Sequence, residues 1–368
     1  MTEKKIRIAH FIETDIPGGA EQVLLDLCQY INKQSSNIEC VLITFEHPWF
    51  KKQCNARNIK YIEAPFRDDF KRTITLPIFA WKFGRWLKKQ NIDLLHSHLF
   101  GPITGGAIAA FIAGIPHVGT LHDVYMISEK PSRIRLIQLA ALLKTKLVTV
   151  SNDMENFYKQ SGYFSPTTFS TIYNGVEVVT TNNTLRSDLN LTEQYPTIIC
   201  VGRLIPLKQV EELTKVILAL LKKHNFYFLI VGEGPERKKI EAIAEQSQAH
   251  IKMLGERNDI PNLLALSDIF IQYSTTEGLS RSIIEAISTG LPCIVSNVGG
   301  NPEIVKDGYN GELVNENDSK TLNNALSRLL EDETLRAEYS KNSIKYAQDN
   351  FGLEANNRKY LNLYNSLV

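Results

Sequence analysis

Thr275-Thr276-Glu277-Gly278-Leu279-Ser280-Arg281-Ser282-Ile283-Ile284-Glu285-Ala286-Ile287-Ser288-Thr289-Gly290-Leu291-Pro292 carries a glycine-containing turn, a helix expected to begin near Ser280, and a stop at Gly290 with Pro292 beyond it. The short apolar run at 269–272 just ahead of it reads as a strand, so the whole is one strand–turn–helix unit. That unit recurs. Apolar β-rich runs at 198–201, 226–231, 250–254, 269–272 and 293–295 alternate with helical stretches, and so do runs at 6–13, 39–44, 60–63, 92–96, 117–121 and 146–151. Alternation of this kind marks parallel sheets with crossover helices. Val23, Leu24, Leu27, Cys28 and Ile31 supply the apolar face of the first such helix.

The rhythm restarts at Thr197, after a stretch at 178–196 that is rich in Thr and Asn and reads as a linker. The expected fold is therefore α/β, with two Rossmann-like domains at 1–177 and 197–350. Two such domains would face a central cleft, with ligands at the carboxyl ends of the strands.

The 368 residues are 43% hydrophobic and 22% charged, which suits two globular domains and argues against disorder. Forty-one Lys and Arg against 40 Asp and Glu leave a net charge of +1, so no overall field is available to hold nucleic acid. Cys28, Cys40, Cys54, Cys200 and Cys293 are scattered, without a Cys-x-x-Cys pair, which points to a reducing compartment. Met1 to Lys5 is polar and too short for a signal peptide, and no run reaches the roughly 20 apolar residues of a membrane span. The expected location is cytoplasmic.

Several segments suit anion binding. Free amides at the helix start after Glu277 would accept a phosphate, and Glu277 and Glu285 flank that position. Two carboxylates there are explained if each binds sugar hydroxyls; on this segment alone, a surface Glu and an ordinary helical Glu are the better reading. Gly202-Arg203 ends the first strand of the second domain and Lys208 opens the next helix, giving two cations suited to a diphosphate or simply to solvent. Val231-Gly232-Glu233-Gly234-Pro235 allows close backbone approach but lacks the third glycine of a dinucleotide fingerprint. Pro17-Gly18-Gly19-Ala20-Glu21 places glycines at the first helix start.

His96, His98 and His122 end neighbouring strands, with His96 and His98 on one strand face. With Asp123 they could form a metal site, but no His-Glu-x-x-His accompanies them, and a hydrogen-bonding role for His122 is the better reading. The helix expected over 77–90 has Phe79, Phe83, Trp86 and Leu87 on one face and Lys82, Arg85 and Lys89 on another. Lys130, Arg133, Arg135, Lys144 and Lys146 surround a further apolar stretch. Such faces suit an anionic membrane surface, although a crossover helix with one solvated side explains either segment.

Taken in order, these segments resemble the family 4 retaining glycosyltransferases, with Tyr173-Asn174-Gly175-Val176 and Gly299-Gly300-Asn301-Pro302-Glu303 completing the match over nearly the whole chain. The resemblance implies the GT-B fold and transfer of a hexosyl unit from a nucleotide-sugar, with UDP expected as the nucleotide, retention at the anomeric carbon and no metal or other cofactor. It implies a glycan or lipid-linked acceptor in polysaccharide synthesis, peripheral placement at the inner face of the cell membrane, and a last segment, 351–368, that crosses back to the first domain. Glu277, His122, Arg203 and Lys208 are the residues it assigns to the reaction. Donor binding falls to Gly19, Gly202, Arg203, Lys208, Gly232, Arg257, Glu277, Gly278, Leu279, Ser280 and Glu285, and acceptor binding to His98. Family members often have Asn or Pro where Ser280-Arg281 stand here. A catalytically inert subunit that binds sugar-nucleotide or glycan is the alternative, disfavoured by the presence of all of Arg203, Lys208, Glu277 and Glu285.

Overall fold

A computed structural model describes residues 5–15, 17–71, 73–177, 185–316 and 318–368. The chain divides into two compact units, one running to Gly175 and completed by Leu353–Val368, the other comprising Val176–Gly352. Residues 178–184 of the expected linker lie outside the described residues. The rest of that stretch is held to the second unit rather than left loose, because the Arg186 guanidinium donates to the carbonyls of Leu266, Thr192 and Tyr195.

The first unit holds a parallel sheet of β1 (Ile6–Phe11), β2 (Ile38–Thr44), β3 (Lys60–Glu63), β4 (Leu94–His98), β5 (His117–Leu121), β6 (Lys146–Thr149) and β7 (Phe169–Thr171), in the order β3-β2-β1-β4-β5-β6-β7. The second holds β8 (Thr197–Val201), β9 (Tyr227–Val231), β10 (Ile251–Gly255), β11 (Ile269–Gln272), β12 (Cys293–Ser296) and β13 (Gly311–Val314), in the order β10-β9-β8-β11-β12-β13. The apolar strand runs are what crossover helices on both faces require. One face of the first sheet, with Ile8, Cys40, Leu42, Leu94, Val118 and Val148, packs under the helix Gly19–Gln34 and the C-terminal helix Leu353–Asn365, which brings in Tyr360 and Tyr364. The other face buries Ala9, Phe11, Val41, Ile43 and Leu95 against Phe79, Phe83 and Leu87 of the helix Leu76–Lys89.

Three strand expectations need correction. The strand placed at 92–96 is Leu94–His98, because Asp93 caps the neighbouring ladder by accepting from the Arg7 amide, while His96 and His98, polar in sequence, are buried within the strand. Strands β7 and β13 were not expected at all. β13 conceals a buried Glu312, neutralised by Arg328 and bonded by the Tyr339 hydroxyl at 3.0 Å. β7 is three residues long, too short for a periodic pattern to show.

All five cysteines are free and buried. Among the described residues, no helix is long and apolar enough to cross a membrane.

Candidate functional site

In the second unit, the loops leaving β8, β9, β11 and β12 are bonded to one another. The Leu204 amide donates to the Glu233 carbonyl at 2.9 Å, and the Thr275 amide to the Leu207 carbonyl at 2.9 Å. Gly232 lies between two of these loops at φ +137°, where a Cβ would come within 1.9 Å of the Gly202 oxygen. Gly299, at φ +52°, would place a Cβ 1.8 Å from the Glu277 oxygen. Both positions require glycine on two counts, backbone conformation and space.

This packed set of loops presents a charged pair. Lys208, closing the short turn Pro206–Lys208, forms an ion pair with Glu277, the two side chains only 18% and 9% exposed. Gln272, the last residue of β11, donates to the same carboxylate oxygen at 2.7 Å. Its own amide oxygen accepts from Ser280 at 3.0 Å and Ser282 at 2.8 Å, which ties the pair to the start of the helix Arg281–Thr289. No side chain caps that helix start, while Gly290 ends it as the sequence suggests. Glu285 accepts from Arg281 at 2.7 Å within the same helix. Arg203 is exposed and has no ion pair among the described residues. Arg257 is held bidentately by Asp259 at 2.8 and 2.7 Å.

The first unit ends its strands differently. His122 Nε2 lies 3.2 Å from His98 Nδ1, and His98 Nε2 lies 3.1 Å from His10 Nδ1. The sheet register pairs His10 with His96 across β1 and β4, so their side chains share the face that also carries His98. His96 is engaged at both nitrogens, by the Tyr364 hydroxyl at 2.6 Å and by Thr120 at 2.8 Å. His10, His96 and His98 each bring a nitrogen within 4.8 Å of the others, a spacing that could hold a cation. Their hydrogen bonds instead run from ring to ring and to hydroxyls.

Burial holds these rings neutral: it lowers His98 and His96 well below the ordinary imidazole value, and His122 to about 4. His98, expected to bind the acceptor, is only 2% exposed, and both of its ring nitrogens are engaged by neighbouring imidazoles. At the other end of the sheet's first loop, Gly19 begins its helix behind a Gly18 amide that donates to Glu21 at 2.7 Å.

Residues 17–179 match the model of Glycosyltransferase Family 4, and residues 181–346 that of Glycosyl transferases group 1. An Escherichia coli relative, UDP-Gal:alpha-D-GlcNAc-diphosphoundecaprenol alpha-1,3-galactosyltransferase, is 30% identical over 395 aligned positions, covering 100% of this chain and 98% of its own. The chain belongs to glycosyltransferase family 4. A Staphylococcus aureus relative of this family 4 protein, capsular polysaccharide biosynthesis glycosyltransferase CapH, is 32% identical over 68% of the chain and 73% of its own length. Anabaena HepE, solved in complex with UDP and glucose, superimposes with a TM-score of 0.83 at 23% identity, covering 98% of this chain and 100% of that one. The glycosyltransferase has the GT-B fold, with a seven-stranded and a six-stranded parallel sheet.

Of the residues singled out in sequence, the second unit of this glycosyltransferase brings Lys208, Glu277, Gly278, Leu279 and Ser280 together, with Gly202 and Gly232 in the adjoining loops. His122, His98 and Gly19 belong to the first unit. Two further residues escaped notice. Gln272 and His10 are each a single polar residue near the carboxyl end of a buried strand, and that is the signal that could have found them.

Proposed function

We propose that the protein transfers a hexosyl unit from a UDP-sugar to a lipid-linked or glycan acceptor in cell-surface polysaccharide synthesis, with retention at the anomeric carbon and without a catalytic metal. The observation that carries this reading is the Lys208–Glu277–Gln272 cluster beside an uncapped helix start. Departure of the nucleotide puts negative charge on the diphosphate and positive charge on the sugar ring. Arg203, Lys208 and the helix-start amides are suited to meet the first charge where it develops, each worth about 2–4 kcal/mol in the transition state. Glu277 and Glu285 are then the groups for the sugar and ribose hydroxyls, and His122 for the transferred sugar. Arg257 joins the donor set only by giving up part of its bond to Asp259.

The relatives support the substrate classes: the Escherichia coli protein is named for a UDP-galactose donor and a diphosphoundecaprenol-linked acceptor, and HepE was solved with UDP. Peripheral placement at the cytoplasmic membrane face is compatible with the same acceptor class. Exposed apolar side chains of the first unit, Ile74, Ile78, Trp81, Phe111 and Leu142, support it, with Arg85 over the Trp81 ring at 5.0 Å.

A thermal-shift panel of UDP, GDP, ADP and CMP tests the reading. A nucleotide at 100 times its Kd adds about 2.7 kcal/mol to stability. UDP is expected to give the largest shift, and a response to GDP alone overturns the donor assignment.

A further inference from the structure

Three imidazoles in series have a polarity. In the hydrogen-bonded row His10 Nδ1···Nε2 His98 Nδ1···Nε2 His122, each neutral ring holds one proton and each contact needs one donor. Only two arrangements satisfy both contacts. In the inward one, His122 donates to His98 and His98 to His10, which leaves the outer Nδ1 of His122 bare and puts the remaining proton on His10 Nε2. In the outward one, His10 donates to His98 and His98 to His122, and the outer Nδ1 of His122 carries the proton. The choice is made at the buried end.

That end is informative. His10 is fully buried, and its Nε2 has no hydrogen-bond partner among the described residues. A buried N–H without an acceptor is rarer than an acceptor left short of a donor, which disfavours the inward arrangement. That leaves the outward row, in which His10 Nδ1 donates and its Nε2 is a bare acceptor. His122, half-buried at the far end, has no partner at Nδ1 among the described residues.

We propose that His10 is a positioning residue that acts through His98 to fix His122 in the tautomer whose Nδ1 carries the proton, making His122 a hydrogen-bond donor to an oxygen of the transferred sugar. This rests on the glycosyltransferase reading for the sugar, but the tautomer itself does not.

The test is ¹⁵N-histidine NMR of the full chain at pH 7.5, with His122 assigned through His122→Gln, alongside steady-state kinetics with a UDP-sugar. The parent is expected to show His122 as Nδ1–H. In His10→Phe it should revert toward Nε2–H, the form free imidazole side chains favour, and kcat should fall about tenfold with the donor KM within twofold of the parent. His10→Asn, whose amide N–H takes the place of Nδ1–H, should restore the parent tautomer and most of the rate. An Nε2–H His122 in the parent overturns the proposal whatever His10→Phe does. So does a folded His10→Phe with unchanged tautomer and kcat. If no nucleotide-sugar is turned over, the sugar contact falls with the glycosyltransferase reading, while the NMR result still decides what His10 does.

Discussion

The two sheets end their strands in opposite ways. At the carboxyl ends of β1, β4 and β5 the first unit buries imidazoles bonded to each other and to hydroxyls, with His96, His98 and His122 held neutral by burial. The second unit places a formal ion pair there, bridged by Gln272 and partly open to solvent. The difference follows from desolvation. A charge buried as deeply as His10 or His96 would need a full set of partners, whereas rings without charge need only one donor per contact. The ion pair keeps its charges, so it sits nearer the surface.

Removing Lys208 attacks that contrast at its charged side and should have the largest effect. Lys208→Ala leaves the Glu277 carboxylate without its cation, and sugar transfer from a UDP donor is expected to fall by about 10²–10³-fold. Acid tests the neutral side. The His122 value is depressed in the folded protein to about 4, so the unfolded chain binds more protons between that value and about 6.5. Stability is therefore full above about pH 6.5 and is lost as pH falls toward 4, by about 3 kcal/mol for this ring alone. Trp49, Trp81 and Trp86 all lie in the first unit, so urea melts followed by tryptophan fluorescence report that unit, and their midpoint should drop between pH 7 and pH 5.

A backbone change sharpens the comparison further. Gly299→Ala forces a methyl against the Glu277 carbonyl and should cost about 2–3 kcal/mol in a chemical melt, with weaker UDP binding and unchanged tryptophan signals. The smallest effect belongs to the surface. Arg85→Glu should change stability by no more than about 0.5 kcal/mol. It should weaken sedimentation with phosphatidylserine vesicles severalfold, since each basic residue near such a surface is worth about 1 kcal/mol.

The alternation of strands and helices was readable because buried parallel strands are apolar along their whole length and the helices between them are not. The helix after Glu277 was readable to within a residue of each end, since Ser280 and Gly290 mark its limits chemically. What pairs with what was not readable. His10 and His98 are 88 positions apart, and only the β1–β4 neighbour relation brings them together. Lys208 and Glu277 were each picked out for the donor, but their mutual bond depends on β8 lying beside β11. Gln272 and His10 were overlooked because one polar residue at the end of an apolar run looks like the edge of a strand rather than a buried contact.

The division of labour proposed for the two units is tested most directly by calorimetric titration of UDP into the parent, Lys208→Ala and His122→Phe proteins. The account predicts at least a tenfold loss of UDP affinity in Lys208→Ala and an affinity within twofold of the parent in His122→Phe. Parent-like UDP binding by Lys208→Ala, together with a loss in His122→Phe, would contradict it.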